Sequence, residues 1–451
     1  MINYEVFVGN TSYTALIKQE IQQLTLCMNH QGVSAGNLVA IAIHEPISWL
    51  VAYYACKELE AVPVVIGKVA ELDKQLEIVR ADYVCYTSDH YKIQIESLSV
   101  VKERNIPSNT GLICRTSGST VGMPKYVAWS KEGITYQKQE TTRVFGYKEG
   151  ERLLFTLPLW GAYGLSIVGV LEHNSMDLVI PANLRPRSII TVLEKQNVCW
   201  VESAPFFYQT MLPYLFKEQR GIEEIGVKGW GCGGDLLTHT FVQQWVKMTG
   251  VPILDGYGLT EAGPNVSLNR PYDYCYGTVG KPLSGTEINF SEDRELWVRS
   301  PSVMLGYYAN GQVDASMLHN GWLSTGDMAT RDEHGYVTIL GRKKNIIIVN
   351  GYNVSPEYVE RTIREHYGIR DVAVVGVPHP TRGNRLCAFV VGDASLTKRD
   401  IDLFIKDKVD EPSRPSFYEI IPHLPVLANG KTDRNQLKGI AEVRFGQESF
   451  V

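Results

Sequence analysis

Residues 36–67 read GNLVAIAIHEPISWLVAYYACKELEAVPVVIG. A Gly-Asn turn opens the apolar run 38–43, a helix is expected over about 46–59, and a second apolar run, 61–67, follows. Apolar runs without polar alternation are strands buried on both faces, as in parallel sheets. Just upstream, Leu16, Ile17, Ile21 and Leu24 recur at helical spacing. Downstream, short apolar runs flanked by helical stretches return at ADYVCYTS (81–88), GLICRTS (111–117), ERLLFTL (151–157), MDLVIP (176–181), NVCWVES (197–203) and VPILDGYG (251–258). This alternation predicts an α/β fold with a mostly parallel sheet.

The pattern changes over residues 277–340. ELWVRS, MLGYY, GWLSTGD and YVTILGR, broken by Gly, Asn and Asp, read as antiparallel β-structure. After GRKKN (341–345) come a strand IIIVNG (346–351) and a helix opening at Ser355-Pro356-Glu357, with Ser at the N-cap and Pro at the first helical position. Two more strands, DVAVVGV (371–377) and LCAFVVG (386–392), precede a helix from Thr397 through Val409 and the loop PVLANGKTDRNQL (425–437). The expected division is a large N-terminal domain, 1–341, and a small α+β C-terminal domain, 345–451. A hinge of one or two residues within 341–345 joins them, because no low-complexity linker is present.

Composition excludes several classes of function. The 451 residues exceed a single core, and 44 % apolar residues with a net charge of −5 describe an ordinary globular protein. No basic block marks a nucleic-acid partner. The eight cysteines form no CxxC pair, which argues against a zinc site or a disulfide framework. The start MINYEVFVGN has neither the basic nor the apolar part of a signal peptide, and no apolar run approaches the ~20 residues of a membrane span. A cytoplasmic location with reduced thiols is expected.

Five stretches carry chemistry. In ICRTSGSTVGMPKYV (113–127) a strand leads into small and hydroxyl residues followed by Lys125, a composition suited to cradling phosphate. It is not a Walker A loop, and no GxGxxG follows a strand. In VPILDGYGLTEAG (251–263), Tyr257 lies in a Gly-flanked turn where it can stack on a flat ring. Thr260 and Glu261 suit a hard cation shared with phosphates. In GWLSTGDMA (321–329), Asp327 at a strand end can accept from two vicinal hydroxyls. Arg342 stands where the domains meet, and Lys431 lies in the Gly-containing loop NGKTDRNQL (429–437). Taken singly, each has a bland reading: a flexible surface loop, a helix start, a turn Asp, a solvated Lys.

In this order, the five resemble the adenylate-forming superfamily: acyl- and aryl-CoA synthetases, stand-alone adenylation domains and luciferases. The resemblance runs from near Tyr13 to Lys431. It implies that Thr116, Ser117, Gly118, Ser119, Thr120 and Lys125 hold the ATP phosphates. Tyr257 would stack on adenine, with Gly233, Gly234 and Asp235 along its edge. Thr260 would contact phosphate, Glu261 would bind Mg²⁺, and Asp327 would take the ribose hydroxyls, helped by Arg342. Lys431 would bridge the substrate carboxylate and the α-phosphate. The small domain would pivot at Lys344, removing Lys431 and bringing the 349–353 loop, with Gly351 and Tyr352, to a thiol tunnel.

Two departures from the family pattern stand out. The phosphate loop has one extra residue (Val121 or its neighbour) and Tyr126 in place of Gly. In LPLWGAYGLS (157–166), Gly161 replaces a common His, and Ala162 replaces the Asp of amino-acid activators. Nothing there anchors an α-ammonium group. Trp160, Tyr163, Phe206, Phe207 and Cys232 either line an apolar or aromatic pocket or belong to the core.

The implied activity is an ATP-dependent carboxylate ligase. It would adenylate an aryl or small acyl acid, then pass the acyl group to coenzyme A or to the phosphopantetheine of a carrier protein. A fatty acyl ligase is the alternative within that class. A nucleotide-binding pseudoenzyme is the alternative outside it, disfavoured by the presence of Glu261, Asp327, Arg342 and Lys431 together.

Overall fold

The computed structural model describes residues 2–66, 72–88, 92–98, 104–116, 125–218, 226–234, 237–379, 383–426 and 432–445. The opening stretch forms the strand Leu38–Ala42, the helix Pro46–Glu58 and the strand Val62–Val65. The two strands pair in parallel, Leu38 against Val62. Glu45 caps the helix, accepting from the N–H groups of Ile47 and Ser48 at 3.0 and 2.7 Å, with Pro46 at its first position. Helix Thr14–His30 buries Ile17, Ile21 and Leu24, but Leu16 of the same apolar set faces solvent.

Among the described residues the strands form four sheets. An eight-stranded sheet has four parallel strands at its centre: Thr110–Arg115, Val62–Val65, Leu38–Ala42 and Tyr83–Thr87. Tyr126–Ser130 and Gly306–Ala309 extend one edge in antiparallel fashion. A nine-stranded sheet has a run of six parallel strands, in the order Ile253–Gly258, Gly229–Cys232, Val198–Ser203, Arg152–Phe155, Asp177–Ile180 and Val6–Val8. Residues 287–342 supply an antiparallel sheet built on the long strand Trp322–Arg331. The fourth sheet, centred on Gly383–Gly392, holds the later strands with helices Pro356–Arg364, Lys398–Ile405 and Arg434–Phe445. The fold is therefore mixed α/β, with large sheet-rich and small α+β parts.

Several local expectations need correction. The strands that flank the phosphate-loop stretch, Thr110–Arg115 and Tyr126–Ser130, pair antiparallel, unlike the parallel strands beside them. Tyr257 is in a strand and not a turn, paired with Ser267; the register then shifts past Val266, so that Gly258 pairs with Asn265 and closes the strand. Asp327 lies within Trp322–Arg331 and not at its end, since Gly326 takes φ +69° and lets the strand continue. Helix Lys398–Ile405 stops short of Val409: its last turn closes with the bond from Lys408 N–H to Ile405 O at 3.0 Å. The 341–345 segment ends one strand, Val337–Arg342, and forms the single 3₁₀ turn Lys343–Asn345.

A buried carboxylate, Glu360, ties two helices of the small part to each other and to its sheet. Glu360 receives Arg434 Nη1 at 2.6 Å and Nη2 at 2.9 Å, and also the N–H of Val374 at 2.7 Å. The pair links helix Pro356–Arg364 to the terminal helix that starts just after residue 431. Glu360→Ala should destabilise this unit by about 3 kcal/mol, because a buried pair is broken from one side. Loss of amide-exchange protection confined to residues 356–445 would register that effect.

Candidate active site

Ligands of open α/β sheets bind beyond the carboxyl ends of parallel strands. Tyr257, Gly233, Ser203 and Thr156 lie at or just past such ends on four adjacent strands. Tyr257 donates its hydroxyl to Asp327 Oδ2 at 2.6 Å. Arg342 Nε stands 2.7 Å from Asp327 Oδ1, and the two residues are direct partners across antiparallel strands. The Asp327 side chain is only 4 % exposed. Burial raises its pKa, the Arg342 charge and the Tyr257 hydrogen bond oppose that, and Glu261 and Glu357 add to the rise. Each carboxylate oxygen carries two lone pairs. With one donor on each, Asp327 keeps acceptor capacity for two more hydroxyls.

A second group forms where the two large sheets meet. Thr260 and Glu261 lie in the 3₁₀ turn Thr260–Ala262, pinned by the Trp129 indole N–H on Thr260 O at 2.7 Å. Tyr307 donates to Glu261 Oε1 at 2.9 Å, and Lys125 Nζ sits 4.6 Å above the Tyr307 ring. Thr116 extends the pairing of the flanking strands through its N–H on Lys125 O, 2.9 Å. Its own Oγ1 is buried without a partner among the described residues. An orphaned hydroxyl, a Lys and a carboxylate converging here fit a phosphate–Mg²⁺ group. Tyr307 was not singled out from sequence. Its only signal was an aromatic after Gly in MLGYY, which reads equally as edge-strand packing.

The remaining sequence-predicted residues are distributed as follows. Ser117, Gly118, Ser119, Thr120, Val121, Asp235 and Lys431 lie outside the described residues. Tyr126 is buried and donates to Gln75 Oε1 at 2.9 Å, so this departure from the expected family pattern is accommodated in the core. Gly161 caps helix Ala162–Asn174, and Trp160 lies 5.2 Å from the His44 ring. The Tyr163 ring abuts Gly233: a Cβ there would stand 3.2 Å from Tyr163 Cε1. Gly234 has φ +97°. Cys232 and Phe207 belong to the buried core with Trp230, Tyr208 and Trp245, whereas Phe206 is exposed. Lys344 lies in the 3₁₀ turn. Asn350 and Gly351, at φ 52° and 82°, make the two-residue hairpin that carries exposed Tyr352. Among the described residues no cluster of three or more His, Cys, Asp or Glu side chains forms a ready metal cage, and no helix is long and apolar enough to cross a membrane.

Glu202 was also missed. It is buried beneath Tyr163 and accepts from Tyr147 at 2.6 Å and from Tyr163.

Residues 67–308 match the AMP-binding enzyme family, and residues 358–431 match the AMP-binding enzyme C-terminal domain. The chain belongs to the AMP-binding enzyme family. A long-chain-fatty-acid–CoA ligase of Escherichia coli O157:H7 is 32 % identical over 365 residues, covering 76 % of this chain and 63 % of that protein. The alignment thus spans less than two thirds of that relative's length. A 2-succinylbenzoate–CoA ligase of Listeria monocytogenes is 27 % identical over 333 residues, 73 % of this chain and 70 % of that protein. The o-succinylbenzoate coenzyme A synthetase of Bacillus subtilis, solved with ATP and magnesium ion, superposes with a TM-score of 0.80 at 22 % identity, covering 96 % of each chain. The fold is shared with that synthetase.

The Glu202 carboxyl sets a pH dependence. Burial, partly opposed by the two phenols, pushes its pKa from 4.5 up to about 7. The folded state then binds the proton more tightly than the unfolded chain. The contribution of this group to stability should be fully present below pH 4.5 and be lost as pH rises through 7, by on the order of 3 kcal/mol. Glu202→Gln should flatten that slope in denaturant titrations run between pH 5 and 7.5.

Proposed function

We propose that the chain is an ATP-dependent carboxylate ligase, acting in the cytoplasm, that forms an acyl-adenylate and transfers the acyl group to a thiol. The observation that carries this reading is the convergence of Tyr257–Asp327–Arg342 with Glu261–Tyr307–Lys125 at the strand ends. The first trio suits a nucleoside: an aromatic face, and a carboxylate with free lone pairs for vicinal hydroxyls. The second suits the phosphates, with Thr116 and the 117–120 loop. Glu261, beside Thr260, would hold Mg²⁺, which when bound offsets phosphate charge as a second anion approaches. Lys431 would add a cation at the reacting carboxylate.

The two-domain division supports a second step. Lys343 is tied to the large part, through Asp293 Oδ2 at 2.8 Å and Glu295 Oε2 at 2.7 Å. Asn345 is tied to the small part, donating to Glu357 Oε1 at 2.5 Å. Lys344 is the residue between these two attachments, which favours it as the pivot. Rotation there would exchange Lys431 for the Gly351–Tyr352 hairpin at the reacting carbonyl. The thiol would come from coenzyme A or from the phosphopantetheine of a carrier protein.

Ala162 and the neighbouring aromatics favour an aryl or small acyl acid. The name of the Listeria relative, which acts on a benzoate, supports this. A fatty acyl substrate is the second reading, favoured by the name of the E. coli relative. ATP–pyrophosphate exchange across benzoates, short acids, graded fatty acids and α-amino acids separates them. Exchange should be strongest with benzoates or short acids. Stimulation by an α-amino acid alone would overturn the substrate assignment. Lys431→Ala should reduce adenylation by about a hundredfold or more and spare thiol transfer from preformed adenylate. Equal losses in both half-reactions would contradict the domain alternation.

A further inference from the structure

A buried carboxyl with no part in the adenylation chemistry lies beneath Tyr163, one of the residues that the family resemblance assigns to the acid pocket. Glu202 is a cross-strand partner of Gly231 and of Phe155 in the nine-stranded sheet. Its carboxyl fills the space over Gly231, where a Cβ would come within 2.0 Å of Oε2. Tyr147 donates to Oε1 from just past the end of helix Lys131–Phe145, beyond its capping Gly146, and Tyr163 donates to Oε2 from the first turn of helix Ala162–Asn174. The Tyr147 ring is wedged edge-on against Trp200, 4.8 Å between centroids. The Tyr163 ring is edge-on to Phe155 at 5.7 Å and presents its other edge to Gly233. At Gly231 a side chain would collide with Glu202, and at Gly233 it would crowd the Tyr163 ring, so both glycines make room for this assembly.

Resting on the carboxylate-activating reading above, we propose that Glu202 is a specificity-determining positioning residue: by hydrogen-bonding Tyr147 and Tyr163 it locks the Tyr163 ring against Gly233 and so fixes the size of the acid pocket. Tyr163 is half-buried. Its hydroxyl is held inward by Glu202 while one ring edge faces the loop that follows Gly229–Cys232. With the hydroxyl tethered, neither side-chain torsion can relax to admit a larger acyl group. Packing alone does not call for such a cluster, since Phe at 147 and 163 with an apolar residue at 202 would fill the same volume without burying a carboxylate. A tethered phenol does what an untethered Phe cannot: it holds one position when a larger group presses on it.

The test compares wild type with Glu202→Gln and Tyr163→Phe in ATP–pyrophosphate exchange, using benzoate, butyrate, octanoate and dodecanoate. The Gln side chain keeps the volume of Glu202 but meets one phenol with an amide N–H. The Phe ring keeps its shape but loses the tether. Selectivity, the ratio of kcat/KM for the acid best used by wild type to that for the next longer acid, should fall about tenfold in both variants. The change should appear in KM for the acids, with KM for ATP unchanged. Tyr147→Phe, which does not reach Gly233, should shift selectivity in the same direction. Tyr163→Phe carries the test alone should Glu202→Gln not fold. Selectivity within about twofold of wild type in the folded variants overturns the proposal, as does a parallel rise in KM for ATP. A wild-type protein that exchanges with no acid at all overturns the carboxylate-ligase reading and takes this proposal with it. A wild type that exchanges, beside variants of unchanged selectivity, overturns this proposal alone.

Discussion

Asp327 sits at the seam of three structural units. Its backbone belongs to the antiparallel sheet, its Oδ2 receives Tyr257 from the nine-stranded sheet, and its Oδ1 receives Arg342, the last residue before the 3₁₀ turn that leads into the small part. A carboxylate buried to this degree is tolerated only where cations and donors face it, since an unpaired charge costs several kcal/mol. That requirement ties the sheets to one another at the point where the candidate nucleotide site opens. It also ties the site to the segment on which the small part is mounted.

The second group obeys a related constraint with the charges reversed. Lys125 reaches Glu261 only indirectly, stacked over a Tyr307 ring whose hydroxyl holds the carboxylate. A direct Lys125–Glu261 ion pair would consume both charges. Placing a phenol between them orients the acid while leaving the ammonium available to an anion. This explains how a chain with a net charge of −5 can present a phosphate site. A few cations are held over aromatic rings or half-exposed beside buried acids, and no basic surface is needed.

The alternation of buried strands and helices was legible because the central strands carry apolar runs, as in Leu38–Ala42, where all five residues are buried. The capped start at Ser355-Pro356 was legible for the same local reason: Ser355 accepts from Tyr358 N–H at 3.2 Å. Tyr257, Asp327 and Arg342 were legible as residue types in order, but not as a bonded trio, because 70 residues separate Tyr257 from Asp327. Their strand setting was misread because the flanking glycines read as turn signals, whereas Tyr257 pairs up to the strand's last residue, Gly258, and the strand of Asp327 continues through Gly326 at positive φ. Glu202 was invisible for a different reason. In VCWVES it looks like the polar end of a strand, and only the absence of a side chain at Gly231, on a neighbouring strand, makes room for it to turn inward.

Rigidity and movement are therefore separated along the chain. The proposed acid pocket, beside Tyr163, Gly233 and Glu202 of the nine-stranded sheet and its helices, lies far in sequence from the segment proposed to pivot. Lys343 is bound to Asp293 and Glu295, and Glu295 also accepts from Gly326 N–H at 3.1 Å, one residue from Asp327. The same acid that anchors the last residue before the pivot thus braces the nucleotide carboxylate. A rotation beginning at Lys344 can leave Asp327, Tyr257 and the acid pocket undisturbed, because the strain stops at Lys343. An adenylate held in that fixed half would keep its position while the other half changes the group presented to its carbonyl.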